Sequence, residues 1–201
     1  MTITEDQLIN EILKDNIYQD IRNNLSTIYI FCHRIYDLCI TSNKHIDLII
    51  NNYTNIIRLK DYTSSIELII VKLFKFNNEI INDILSYHTK KNKRVIDLDN
   101  EILLNDDAVD EDEIILSTIN FKISVLMKYL DDMMFHVREY NAYIVHLFHK
   151  NDKEKIFNRF TRQLLISDYN IVHKLIIDYN DCKCLLYYNK KLTCSYINSL
   201  S

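Results

Sequence analysis

The densest run of reactive side chains in this 201-residue chain is Asp132, His136, Glu139, Tyr143, His146 and Lys150. Their spacing alternates between four and three, which on an α-helix sets them all on one face. Carboxylates and imidazoles stacked in this way are what a di-iron type of bundle site uses. The angle decides against such a site. At about 100° per residue, the stripe falls nearly opposite the apolar one of Leu126, Leu130, Met133, Met134, Val137, Ile144 and Phe148. Ligands of a bundle metal must point into the core, and these point away from it. The helix therefore presents a solvated or partner-binding face, with His136, Glu139, Tyr140, Tyr143 and His146 as its contact residues.

Other combinations fall short for different reasons. His146 and His149 lie one turn apart, but zinc normally takes three or more protein ligands. Cys182-Lys-Cys184 with Cys194 lacks the Cys-x-x-Cys spacing of a thiolate site, and a fourth ligand such as Cys32 or His33 would come from the other end of the chain. Cys32 and His33 are neighbours, and adjacent helical residues diverge too far to form a nucleophile–base pair. Asp97-Leu-Asp99-Asn-Glu101 begins like a calcium loop, yet Ile102 stands at the glycine position and Ala108 at the final glutamate. The chain has no glycine at all, which removes the Walker, Rossmann and kinase phosphate loops and the nucleophile elbow. No catalytic residue, metal or cofactor is expected.

The elements that position these residues follow from composition. Average chains hold about 7% glycine and 5% proline; this one has neither, and its only alanines are Ala108 and Ala142. Ile, Asn, Lys, Tyr and Asp crowd in their place, the signature of AT-rich coding. Without glycine, the tight turns of a sheet-rich fold must force Asn, Asp or Lys to positive φ. Helices joined by short polar loops need few such turns, so the expected fold class is all-α.

Periodicity predicts a helix opened by a capping box at Thr4 and Gln7, another over Ile17–Ile40, and a loop at Thr41-Ser42-Asn43-Lys44. A third helix starts near Ile46, and a second capping box, Ser64 with Glu67, opens a fourth. His88–Arg94 is basic and Asp97–Glu113 acidic, so 88–113 reads as one long surface loop. Helices follow over Asp112–Lys150, Asp152–Ile166 and Ser167–Asn180, and the tail 181–201 is one more helix or a short hairpin. The expectation is a single domain, 1–201, of six or seven helices.

A net charge of −4 argues against general nucleic-acid binding. No apolar stretch reaches the length of a membrane span, and the start has no secretory pattern. Five cysteines in such a chain are expected to be reduced. The cytoplasm is the expected compartment, with the nucleus as the alternative given the Lys90–Arg94 cluster. Fourteen tyrosines and eight phenylalanines leave aromatic surface to spare, including Tyr187, Tyr188 and Tyr196 in the tail.

Leu116-Ser-Thr-Ile-Asn-Phe-Lys-Ile-Ser-Val-Leu126 resembles the central hydrophobic helix of poxviral proteins with the Bcl-type, apoptosis-regulator fold. The Asn-Trp-Gly-Arg motif of their cellular relatives is absent, as is an apolar C-terminal anchor. The resemblance implies a non-enzymatic viral interaction module that binds a host signalling or apoptosis protein through a helical face or groove. The alternatives are a structural or replication- or transcription-associated subunit of a viral complex, and a metal-dependent enzyme using His136, Glu139 and His146 or the terminal cysteines.

Overall fold

A computed structural model describes the backbone of residues 5–98 and 107–200, and the side chains of 19–53, 55–86 and 114–194. Among the described residues there are four helices and no strand: α1 (Glu5–Ile49), α2 (Ile57–Leu98), α3 (Asp107–Glu154) and α4 (Arg159–Leu200). A single 3₁₀ turn, Thr54–Ile56, leads into α2.

Six or seven helices were expected, and four are found because the polar interruptions do not interrupt. Thr41 to Lys44 lies inside α1, and Ser64 and Glu67 lie inside α2, seven or more residues past its start. Serine and threonine hydroxyls mid-helix bond back to carbonyls of the preceding turn, as Thr27 does to Asn23 (3.2 Å), Ser65 to Asp61 (3.0 Å) and Thr118 to Ile114 (2.9 Å). With no proline to remove a donor, nothing else stops the helix. Much of the expected 88–113 loop is likewise helical, with α2 reaching Leu98 and α3 starting at Asp107; residues 99–106 lie outside the described part, as does Thr4. The tail is helix as far as Leu200, not a hairpin.

The true break between α3 and α4 sits at residues 155–158 rather than at 150–152 or 166–167. Lys155 takes φ 50°, the left-handed cap position usually given to glycine, while its N–H still bonds the Asn151 carbonyl at 2.7 Å. The Asn151 side chain accepts from the Phe157 N–H at 2.6 Å, and Asn158 caps α4 by accepting from the Thr161 N–H at 2.8 Å.

Buried positions recur with alternating steps of three and four on every helix. On α3 they are Leu116, Ile119, Ile123, Leu126, Leu130, Met133, Val137, Tyr140, Ile144, Leu147 and Asn151. On α4 they run Thr161, Leu165, Asp168, Val172, Leu175, Tyr179, Cys182, Leu186, Asn189 and Thr193. An average of 3.5 residues per repeat is the coiled-coil period, which keeps one seam facing the neighbouring helices. Some seam positions are polar: Ser42, Thr63, Asn77, Asp168, Asn189 and Thr193 among them.

The chain divides into two compact units, each drawing on all four helices. The first comprises Met1–Thr27, Lys75–Met127 and Cys184–Ser201; the second, Ile28–Phe74 and Lys128–Lys183.

Candidate functional site

The second unit brings two groups of chemically capable side chains together, one buried and one exposed. In the buried group, Asp168 on α4 accepts from the Tyr140 hydroxyl at 3.0 Å through one oxygen and pairs with His45 Nδ1 at 2.8 Å through the other. Asp168 and Tyr140 are each 1% exposed. Burial pushes the Asp168 carboxyl above its ordinary value, against the pull of His45. Burial, with Asp168 beside it, also holds the Tyr140 hydroxyl well above its usual range, so it stays a neutral donor.

Ser42 is fully buried nearby, which completes the residue types of an acyl-transfer triad. The arrangement is a different one. Ser42 lies one turn before His45 on the same helix and its Oγ makes no hydrogen bond of standard geometry, so no imidazole stands ready to take its proton. Alongside, Thr63 donates to Asn43 at 2.6 Å and Asn43 donates to Glu67 at 3.1 Å. The group is a polar layer within an apolar seam.

The exposed group gathers on α2 and α3. The Arg58 guanidinium lies 5.4 Å from the centre of the Tyr143 ring and 6.0 Å from that of Tyr62, within cation–π range. Tyr143 stacks on His146 with centroids 5.9 Å apart and planes 24° from parallel. Its hydroxyl donates to the Asn55 carbonyl at 2.6 Å, which fixes the ring. Partial burial raises the Tyr143 hydroxyl, with Arg58 pulling the other way. Beside this cluster is a recess of about 160 Å³ lined by Asn52, Tyr53, Asn55, Leu147, Lys150, Ile156 and Phe157. Tyr53 meets Phe157 edge-on at 5.1 Å and accepts from the Asn158 N–H at 3.3 Å.

The residues expected to form a contact face are thus divided. Tyr143 and His146 stand together at the surface beside Arg58. His136 is half-buried with its ring edge-on to Phe135, and Glu139 is exposed. Tyr140 is in the core, bonded to Asp168, without the exposure a contact residue needs. Tyr187 and Tyr188 are exposed, and the Tyr196 side chain lies outside the described residues. No group of three or more His, Cys, Asp or Glu side chains among the described residues could hold a metal ion. All five cysteines are free, and burial raises Cys32, Cys39 and Cys182 to about 12, leaving essentially no thiolate there at neutral pH. No described helix is long and apolar enough to cross a membrane.

His45, Asp168, Arg58 and the recess were not singled out from the sequence. Asp168 had a usable signal: stepping three and then four from Leu165 to Val172 passes through it, placing a carboxylate in the seam. Arg58 and Tyr143 are 85 residues apart in sequence, and no local pattern joins them. No family model, curated protein or solved structure matches the chain.

Proposed function

We propose that this chain is a non-enzymatic protein-interaction module that engages its partner through the α2–α3 face of the second unit. The observation that carries this reading is the Arg58–Tyr62–Tyr143–His146 cluster, whose tyrosine ring is fixed by the bond to Asn55. Tyrosine and arginine are enriched in binding hot spots, tyrosine because a rigid ring adds large contact area with few rotatable bonds, arginine because its planar guanidinium stacks on rings and donates several hydrogen bonds. Ring packing and the Asn55 bond order these side chains before any partner arrives, which lowers the entropy cost of association. The sequence resemblance supplies the partner class, a host signalling or apoptosis protein. Four long helices differ from the six or seven expected, so the reading rests on a face and not on a groove.

The test is affinity capture from host-cell extract with the wild-type chain and with the Arg58→Ala/Tyr143→Ala double variant. A stoichiometric partner retained by the first and lost at least about tenfold by the second supports the reading. Equal capture by both chains, or no reproducible partner, defeats it. Co-purification with viral particles or polymerase instead of host proteins would transfer support to the structural-subunit alternative.

A further inference from the structure

The recess beside the aromatic cluster is small, weighted toward positive charge and mixed in chemistry. About 160 Å³ is well below the roughly 300–1,000 Å³ of a site for a drug-sized ligand, and is on the scale of one aliphatic side chain. Leu147, Ile156 and Phe157 give it apolar walls, while Lys150, Asn52 and Asn55 bring polar groups to the same opening. The two stretches that line it, 52–55 and 147–157, carry Lys150, Lys153 and Lys155 against Asp152 and Glu154, and Arg58 and Lys60 follow the first of them on α2. Within a chain of net charge −4, this is a local reversal of sign. Lys60 is occupied by Asp47 at 2.9 Å and Asp152 is approached by Arg162 at 3.9 Å. Arg58 faces tyrosine rings, and Lys150 forms no ion pair among the described residues.

We infer that this recess receives one apolar side chain from an acidic segment of the partner protein, whose carboxylates face Lys150, Lys155 and Arg58. The inference rests on the interaction reading and adds the chemistry of what is bound. The apolar walls exclude water around the anchoring side chain and so contribute affinity. The cations draw negative segments toward the site and reject basic ones, which governs association rate and choice of partner. A free anion alone would leave the apolar walls uncovered, and an apolar peptide without carboxylates would leave the cations unused.

The experiment uses the full-length chain and a short fluorescein-labelled peptide of alternating Glu and Ser with one central Leu, followed by fluorescence anisotropy. Comparison peptides replace Glu by Lys, or Leu by Ser. The acidic leucine peptide should bind, the basic one should not, and the serine version should bind about tenfold more weakly. Lys150→Glu and, independently, the exposed Lys155→Glu should each weaken the acidic peptide by about tenfold at low salt, with circular dichroism unchanged. Equal binding of acidic and basic peptides, insensitivity to both charge reversals, or displacement by inorganic phosphate regardless of the leucine would overturn the inference. Cellular capture separates this outcome from the broader reading: a partner lost with Arg58→Ala/Tyr143→Ala but kept with Lys150→Glu leaves the interaction face standing and removes the recess.

Discussion

Both units place polar residues in a coiled-coil seam, and they treat them differently. In the second unit the buried carboxylate of Asp168 has two partners, Tyr140 and His45, and the neighbouring Thr63, Asn43 and Glu67 form a connected set. In the first unit Asn24 donates to Asn189 at 2.7 Å and Thr193 donates to Asn120 at 3.2 Å. There the amide nitrogen of Asn189 and both polar atoms of Asn77 are buried without a partner, and in the second unit the uncharged Ser42 hydroxyl and Asn141 amide oxygen are left alone in the same way. The difference follows from what each group costs when left alone. A lone buried amide costs about 1–3 kcal/mol, which a large core tolerates. A lone buried charge costs several times more, so its surroundings must supply partners. The buried carboxylate is fully partnered, whereas uncharged groups in both units are left alone.

The largest expected effect comes from removing the carboxylate. Asp168→Ala should destabilise the chain by about 3–5 kcal/mol, because it leaves the Tyr140 hydroxyl and the His45 ring without their acceptor. Adding Tyr140→Phe should return about 1 kcal/mol of that loss, since the orphaned hydroxyl goes with it. Urea midpoints of the two singles and the double give the coupling directly. A loss below about 1 kcal/mol for Asp168→Ala would show that the layer does not hold the fold. In the first unit the sign reverses. Asn77→Leu should stabilise by about 1–2 kcal/mol by removing two unpartnered atoms and adding apolar volume. If thermal unfolding instead shows the Leu variant less stable, Asn77 has a partner the seam geometry does not reveal.

Acidity sharpens the same contrast. The folded-state value of Asp168 is raised above the ordinary 3.8, chiefly by burial. Its proton is therefore held more tightly in the native state than in the unfolded chain. The resulting stability is fully present below 3.8 and is lost as pH rises through the folded value. Referenced to Asp168→Asn, the wild-type chain should lose stability as pH rises out of the acid range, and denaturant midpoints measured for both would show it. A wild-type gain over that window would mean the His45 pairing outweighs burial. No comparable dependence is expected from Asn77→Leu, where nothing titrates.

Much of this architecture was legible in the chain and part of it was not. Helix over Asp112–Lys150 follows from apolar periodicity, and α3 contains it. The outward direction of Asp132, Glu139 and His146 follows from the same wheel, and all three are exposed. The helices are fewer than periodicity predicts because Thr41–Lys44 and Ser64 carry loop-forming and capping side chains, yet lie inside α1 and α2. Tyr140 lies inward and not on the contact face for a related reason: a tyrosine between Val137 and Ile144 sits on the seam at a step of three and then four. Its hydroxyl finds Asp168, so its polarity does not force it outward. The Arg58–Tyr143 contact and the recess depend on long-range packing that spacing along one helix does not encode.

The smallest effect tests the cost of a glycine-free turn apart from the seam. Lys155 occupies the left-handed region, which costs a residue with a Cβ roughly 1–2 kcal/mol. Glycine avoids that clash but gains freedom in the unfolded chain worth about 0.5–1 kcal/mol. Lys155→Gly should therefore stabilise by about 0.5–1 kcal/mol, whereas Lys155→Ala keeps the Cβ and should change little. Both variants also remove one exposed cation next in sequence to the recess residue Ile156, so both should weaken the acidic peptide by a similar, modest factor. Stability that rises only with glycine, together with affinity that falls in both, assigns the strain to the backbone and the binding to the charge. A lower denaturation midpoint for the glycine variant would show instead that the Lys155 side chain contributes more to this turn than its backbone conformation costs.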